Sequence, residues 1–386
     1  MKILLLEYFC SRAKDKKQKE NFYNEGIKIL ASAVSSFLKN PEIRVKGIIH
    51  SSFRNHFLAE LNSVSELNIK GDLNSEYDNN SNFELNSKLD NLDLIINNRT
   101  LENIKNYYEY LSNIDLSDCE AFLITAPEKD NILAEITKIM EEKGLRNLGS
   151  SSKTVKKAAN KWLLHKNLSD NFSSTKEIKT PQSKLLTTQK MKNLLSKNNS
   201  ADRNRFFSKF IPAVIKENYS AGSELEIVRN ENELKYFLKN NLNTAAEKNY
   251  LIQKIIDGIP GSISAAADED NVLILSINKQ YINKNNFHYE GGEINYPFKN
   301  AEILEEVAAK IKVIYPGLNG YFGVDFVYHD GKFYILEINP RLTSSIIGIC
   351  QLFNFSEYII SAEHNALKKM DQPIENNNWR LKFLLE

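Results

Sequence analysis

The stretch Gly320-Tyr321-Phe322-Gly323-Val324-Asp325-Phe326-Val327-Tyr328-His329-Asp330-Gly331-Lys332-Phe333-Tyr334-Ile335-Leu336-Glu337-Ile338-Asn339-Pro340-Arg341 decides how the chain is read. Val324, Phe326 and Tyr328 alternate with Asp325 and Val327, and Tyr334, Leu336 and Ile338 alternate with Ile335, Glu337 and Asn339. Successive side chains of a strand point to opposite faces. The stretch therefore predicts a hairpin, 323–328 against 332–339, with one apolar face and one face carrying Asp325, Glu337 and Asn339. Its register depends on the turn. A two-residue turn at Asp330-Gly331 puts Asp325 and Glu337 on opposite faces. A three-residue loop, His329-Asp330-Gly331 with Gly331 left-handed, sets Asp325 opposite Ile335 and returns Glu337 and Asn339 to its face. The three-residue loop also keeps the apolar sets together and is the expected one. Two carboxylates and a carboxamide are hard oxygen donors, suited to Mg²⁺, which takes few carboxylates alongside substrate phosphates. Arg341 adds a cation where a transferred phosphoryl group would sit. The spacing D-x11-E-x-N-P-R is far more specific than a lone carboxylate pair, so metal–phosphate chemistry is expected over a hairpin with one solvated face.

Upstream, Phe210–Lys216 is an apolar run ending in Lys216, followed by Ser220-Ala221-Gly222-Ser223, small residues able to bend over a phosphate and offer backbone N–H groups. Leu251–Gly258 reads as a strand with polar groups at its edge. Glu224–Val228, Ile263–Ala267 and Val272–Ile277 are further strands, and Glu302–Ile314 is a helix. Ser152–Lys166 is a Lys-rich helix. Residues 166–205 are polar and read as a long, partly mobile connection with a short helix near Met191–Leu195. The first 150 residues alternate apolar runs (Ile3–Tyr8, Val45–Ile49, Leu92–Ile96, Ala121–Thr125) with helical patterns at Asn21–Leu38 and through Ile132, Ile136 and Ile139, which predicts a parallel α/β sheet. Residues 71–90 read as a surface loop. Asn278 and Gln280, at i and i+2, share a strand face and are expected to meet a substrate.

The 386 residues suggest two or three domains, and 42% hydrophobic with 26% charged residues is ordinary for a globular chain. Lys+Arg is 50 against Asp+Glu 49, which argues against a nucleic-acid partner. Three scattered cysteines, Cys10, Cys119 and Cys350, give no disulfide or zinc pattern and fit a reducing cytoplasm. No apolar run is long enough to span a membrane. Gly144–Ser150 lacks the lysine of a P-loop, no GxGxxG, GxSxG or HExxH is present, and the histidines have no ligand spacing.

In this order the motifs resemble the ATP-grasp superfamily over about residues 150–350. The resemblance implies an α/β fold, with a Rossmann-like pre-ATP-grasp domain at 1–150, a first ATP-grasp lobe at 151–257 carrying a polar insertion at 166–208, and a C-terminal lobe with the metal site at 258–386. It implies that Lys161, Lys216, Gly222 and Ser223 meet nucleotide phosphates, and that Gln253, Lys254 and Ile256 line the adenine. Asp325, Glu337 and Asn339 match the ligands of Mg²⁺ or Mn²⁺, as two ions, and Arg341 the catalytic arginine. A narrower resemblance, to the tyramine–glutamate ligases of methanofuran biosynthesis, rests on segments in order: Leu5–Tyr8, Glu25-Gly26, Ile124–Glu128, Asn147–Gly149, Ser262–Ser264, Ser276–Gln280, Gly291–Glu293 and Asn339–Thr343. It implies substrate roles for Glu7, Tyr8, Asn278, Gln280, Gly291, Gly292 and Thr343, with Tyr8, Phe9 and Tyr289 placed to meet an aromatic amine. The implied reaction activates a carboxylate as an acyl phosphate at the expense of ATP and joins glutamate to that amine. The implied partners are thus ATP, glutamate and an aromatic amine, with a homo-oligomer left open. Another amine such as tyrosine is the nearest alternative. A non-catalytic nucleotide sensor is a further one, against which the complete metal set argues.

Overall fold

The computed structural model describes residues 1–13, 20–65, 90–99, 101, 103–172, 175–196, 200–219, 225–242, 248–285, 287–371, 373 and 380–385. Nearly all of the loop expected at 71–90, and Gly222 and Ser223, lie outside them.

The N-terminal part runs β1 (Lys2–Glu7), α1 (Glu20–Leu38), β2 (Arg44–His50), α2 (Arg54–Ser65), β3 (Leu92–Asn97), α3 (Ile104–Asn113), β4 (Ala121–Thr125), α4 (Ile132–Glu142) and β5 (Arg146–Asn147). Its strands form one parallel sheet in the order β3-β2-β1-β4-β5. β1 is apolar on both faces because both are covered. Ile3 and Leu5 pack with Ile27, Leu30 and Val34 of α1, while Leu4 and Leu6 pack with Tyr107, Leu111 and Ile136 from α3 and α4. The connections leave β1 and β4 toward opposite faces, which opens a crevice at the C-terminal ends of these two neighbouring strands. Such switch points are where open α/β sheets bind ligands.

The middle part runs α5 (Ser152–Ala158), α6 (Lys161–Asn171), β6 (Ile178–Lys179), β7 (Ser183–Leu186), α7 (Thr188–Leu195), α8 (Ser200–Phe210), β8 (Ala213–Glu217), β9 (Leu225–Val228), α9 (Glu231–Asn241) and β10 (Tyr250–Lys254). A four-stranded antiparallel sheet, β7-β10-β8-β9, packs on α7, α8 and α9. The polar connection expected at 166–205 is therefore largely built structure. Leu186, Met191, Leu194 and Phe207 form the core under this sheet. Their apolar side chains are too diluted by Lys, Ser and Asn to show a periodic face in the sequence. The single helix expected at 152–166 is two. Asn160, extended at φ −78°, ψ 94°, ends the first and caps the second by accepting the Leu163 N–H at 2.9 Å.

The last part runs β11 (Ile259–Ala267), β12 (Val272–Ile282), β13 (Tyr289–Ile294), α10 (Ile303–Ile314), β14 (Gly320–His329), β15 (Lys332–Asn339), α11 (Ile346–Leu352), α12 (Phe355–Glu363) and β16 (Leu381–Leu384). Seven strands pair in the order β16-β13-β12-β11-β14-β15-β6. One face packs on α6 and α10. Ala266, Leu275 and Tyr321 join a core shared with α1, α11 and α12, which fixes this sheet against the N-terminal part.

The β14–β15 hairpin departs from the expected register. Its turn is the two-residue one: Asp330 (φ 48°) and Gly331 (φ 72°) are both left-handed, and His329 pairs with Lys332. Phe326 then pairs with Ile335, but Asp325 pairs with Glu337, so Leu336 is a bulged residue. The bulge, not a longer loop, brings the two carboxylates onto one face. It also exchanges the apolar set: Phe333 and Ile335 enter the core with Val324, Phe326 and Ile338, while Leu336 turns to the cavity beside Glu337.

Candidate active site

A cavity of about 1130 Å³ lies where the three sheets meet. Its walls carry Glu7 and Tyr8 from the end of β1, Lys216 from β8, Gln253, Lys254 and Ile256 from the end of β10, Gln280 from β12, and Asp325, Glu337, Asn339, Arg341 and Thr343 from the hairpin and its exit. Phe9, Phe22 and Tyr289 add aromatic wall, and Val214, Leu225, Ile227 and Leu336 an apolar slot between the small and large sheets.

Lys161 and Lys216 both reach Glu337. Lys161 Nζ is 2.8 Å from Oε1 and Lys216 Nζ 3.6 Å from Oε2, all three residues being buried. Local structure places the two lysines side by side. Lys161 opens α6, where its backbone N–H donates to the Asn218 carbonyl at the end of β8. Asn218 Oδ1 accepts the Trp162 N–H at 2.9 Å, and its amide donates to Asn160 Oδ1 at 3.2 Å. The paired asparagines thus latch the start of α6 to the strand that carries Lys216. Asn218 escaped the sequence reading, since an Asn after a strand carries no distinctive pattern.

Asp325 is held by amides: Gln280 Nε2 donates to Oδ1 and Asn339 Nδ2 to Oδ2, each at 2.9 Å. Burial raises the Asp325 carboxyl to about 6, the neighbouring Glu337 charge adding to it against these donors. Burial acts the same way on Glu337, but Lys161 and Lys216 outweigh it and bring that carboxyl down to about 2. The Lys216 ammonium is lowered, burial outweighing Glu337. Among the described residues no three His, Cys, Asp or Glu side chains cluster to hold a metal. The donor set is instead two carboxylates and a carboxamide, and Asn339 commits its amide nitrogen, leaving Oδ1 as the donor a hard cation would take. A buried carboxylate whose pKa rises beside a like charge fits a divalent cation with few protein ligands.

Arg341 is clamped. Nε donates to Glu128 Oε1 at 2.9 Å and Nη2 to Glu128 Oε2 at 3.2 Å. Glu128 lies in the loop after β4, at the crevice of the N-terminal sheet. Glu7 sits across that crevice, 3% exposed, accepting the Cys10 N–H at 2.8 Å. Burial pushes its carboxyl up to about 7. A Cβ on Gly26 would lie 2.6 Å from Glu7 Oε2, so any larger residue there would make this carboxylate shift. Glu25 is also raised by burial and accepts from Ser344. Glu25 and Glu128 were visible only as parts of matching segments, and the strand order supplies the signal that marks them.

Three expected substrate residues stand elsewhere. Asn278 is off the cavity wall, 1% exposed, donating to Ser262, Ser264 and Ser345 hydroxyls at 3.1–3.3 Å. The bulge that shifts β11 against β12 between Ser264 and Ala265 lies beside it. Gly291 and Gly292 serve packing. Gly291 has φ 142°, and a Cβ there would come 2.3 Å from the Phe383 carbonyl oxygen of β16.

A strand-linked carboxylate pair, two converging lysines and a clamped arginine are thus set between a small antiparallel sheet and a large mixed one. A sequence model described as an ATP-grasp domain matches residues 158–345, and one described as a pre ATP-grasp 3 domain matches 84–155. The chain belongs to the ATP-grasp superfamily. It is 31% identical over 246 residues to a tyramine–L-glutamate ligase of Methanocaldococcus jannaschii, covering 63% of this chain and 62% of that one. It is 31% identical over 244 residues to the enzyme of the same name from Methanocaldococcus fervens, covering 63% and 66%. The match spans just under two thirds of these relatives' length. Among solved structures, an L-amino acid ligase from Bacillus licheniformis shares the fold at TM-score 0.60 and 15% identity, over 95% of this chain and 74% of that one. A D-alanine–D-alanine ligase from Bacillus anthracis, complexed with ATP, does so at TM-score 0.54 and 15% identity, over 96% and 99%. No helix among the described residues is long and apolar enough to cross a membrane.

Proposed function

We propose that the protein is an ATP-dependent carboxylate–amine ligase that joins the γ-carboxyl of glutamate to an aromatic amine, tyramine, as in methanofuran biosynthesis, by way of an acyl phosphate. The observation that carries the ligase reading is the Glu337 carboxylate held between Lys161 and Lys216, opposite Asp325 and in one cavity with Arg341.

The apolar slot of Val214, Ile227 and Leu336 suits a purine ring, and the edge at Gln253–Ile256 offers it backbone groups. Lys161 and Lys216 neutralise phosphate oxygens as the triphosphate enters, exchanging Glu337 for substrate. Asp325, Glu337 and Asn339 would hold Mg²⁺ or Mn²⁺, as two ions, which when bound neutralise the charge on the transferring phosphoryl group. The glutamate γ-carboxylate oxygen attacks the γ-phosphorus and ADP leaves. The amine nitrogen then attacks the acyl carbon, phosphate leaves with the carboxylate oxygen, and the nitrogen loses a proton. Arg341 faces the oxyanions of both steps. Tyr8, Phe9, Phe22 and Tyr289 favour an aryl amine; Phe9 and Phe22 stack with centroids 5.5 Å apart. Glu7 and Glu25, whose carboxyls burial raises, stand at that end as oxygen acceptors for the N–H groups of the amine.

The test is phosphate release with glutamate and a panel of amines, followed by ¹⁸O in the glutamate side-chain carboxylate. The expected result is tyramine-dependent ADP formation with label in inorganic phosphate. AMP as product, or unlabelled phosphate, refutes the acyl-phosphate route.

A further inference from the structure

From the geometry we infer that Glu128 is a positioning residue that aims Arg341 at the phosphoryl group. This rests on the ligase reading above and adds to it a residue from the N-terminal sheet.

A guanidinium has five N–H donors. Glu128 takes one from Nε and one from Nη2, and the Leu342 carbonyl takes one from Nη1 at 3.1 Å. Among the described residues this leaves one N–H on Nη1 and one on Nη2. Two donors on adjacent nitrogens of one planar group can meet two oxygens of a phosphoryl or acyl-phosphate group. Glu128 is itself fixed. It is 4% exposed, and both its oxygens are taken by Arg341. Its loop is tied to the head of α4, the Pro127 carbonyl accepting the Leu133 N–H at 3.1 Å and the Glu128 carbonyl the Asn131 N–H at 3.2 Å. Asp130 and Asn131 take left-handed conformations to allow this.

A buried ion pair is weak evidence for stability, because desolvation offsets the attraction. Orientation explains the pair better. Glu25 and Glu337 also attract the guanidinium. Without Glu128 the side chain would be drawn to whichever of them it met, and a turn toward Glu25 takes it off the line of transfer. The carboxylate thus selects one of several acidic partners and leaves the receiving edge of the arginine free.

The experiment compares E128Q, E128D, R341M and E128Q/R341M. E128Q is expected to lower kcat by about 100-fold, with the KM for ATP within about threefold. Calorimetry supplies a readout apart from turnover. MgADP affinity should be unchanged in E128Q, while orthovanadate should bind the MgADP-loaded protein at least about tenfold more weakly, since the fork that receives it is turned away. E128D, which keeps the charge, should recover part of both losses. The double variant should be no slower than R341M if Glu128 acts only through Arg341. Unchanged vanadate affinity in E128Q, weakened MgADP binding, or a double variant far slower than R341M would each overturn the inference. Should E128Q fail to fold, E128D is read by the same criteria. Full turnover by R341M would instead refute the role given to Arg341 in the ligase reading, a separate failure.

Discussion

Replacing Glu337 by Gln should do more than remove a metal donor. Glu337 lies within ion-pair distance of both Lys161 and Lys216, at 2.8 and 3.6 Å. At an effective dielectric of about 20 the two attractions are each roughly 5 kcal/mol, and desolvation of the three groups offsets most of them. Breaking a buried pair from one side typically costs about 3–5 kcal/mol, because the partner charge stays buried. Here two ammonium groups are left. Lys216, already lowered by burial, can shed its proton, so a loss of about 3 kcal/mol is expected at pH 6.5. The sign with pH follows. A lysine whose folded pKa is depressed binds fewer protons folded than unfolded, so the stability of the variant should rise as pH increases toward 9. The assay is urea denaturation of parent and E337Q without nucleotide at pH 6.5 and 9. A variant within about 1 kcal/mol of the parent at pH 6.5, or one whose deficit does not shrink at pH 9, would refute the reading of Glu337 as the charge that holds both lysines. Turnover should be nearly lost at either pH, because the same carboxylate is a proposed metal donor.

Other outcomes are also expected. Lys216→Ala should raise the KM for ATP well above any change for glutamate, as a phosphate point charge does, and an unchanged ATP KM would leave Lys216 a structural residue. Glu7, with its folded carboxyl near 7 against an unfolded value near 4.5, favours the folded state when protonated. It should therefore withdraw about 3 kcal/mol of stability as pH rises from about 4.5 to 7. Thermal melts of Glu7→Gln should lack that decline; a parallel pH profile for variant and parent would argue against it. Gly26→Ala places a Cβ against the Glu7 carboxylate and should raise the KM for the amine while leaving that for ATP alone; equal effects on both would show a general packing defect.

The sequence carried the chemistry by type and order. Alternation around Asp325 and Glu337 marked a hairpin, the exit Asn339-Pro340-Arg341 marked phosphate chemistry, and the apolar runs of the first 150 residues marked a parallel sheet, because burial on one face or two imposes a period that local sequence displays. In the small lobe the strands β8, β9 and β10 and the short helix α7 were legible, but β7, α8 and the core that joins them were not. Its core residues, Leu186, Met191, Leu194 and Phe207, are sparse in a polar stretch, and only packing against β8 and β10 gives them a common face. The hairpin shows the same division. Asp330-Gly331 is a standard two-residue turn signal, yet the register past Phe326 is set by a bulge at Leu336 of β15, which goes with the pairing of β14 against β11 on its other edge and with the core beneath. Asn278 and Gln280 share a face by spacing, but that face is buried under Ser345 at one residue and open to Asp325 at the other. The meeting of Glu128 with Arg341, 213 residues apart, was beyond any local pattern. Spacing along a strand determines which residues can share a face. What that face meets is decided by long-range packing, and here that packing sets a switch-point loop of one sheet against the arginine leaving another.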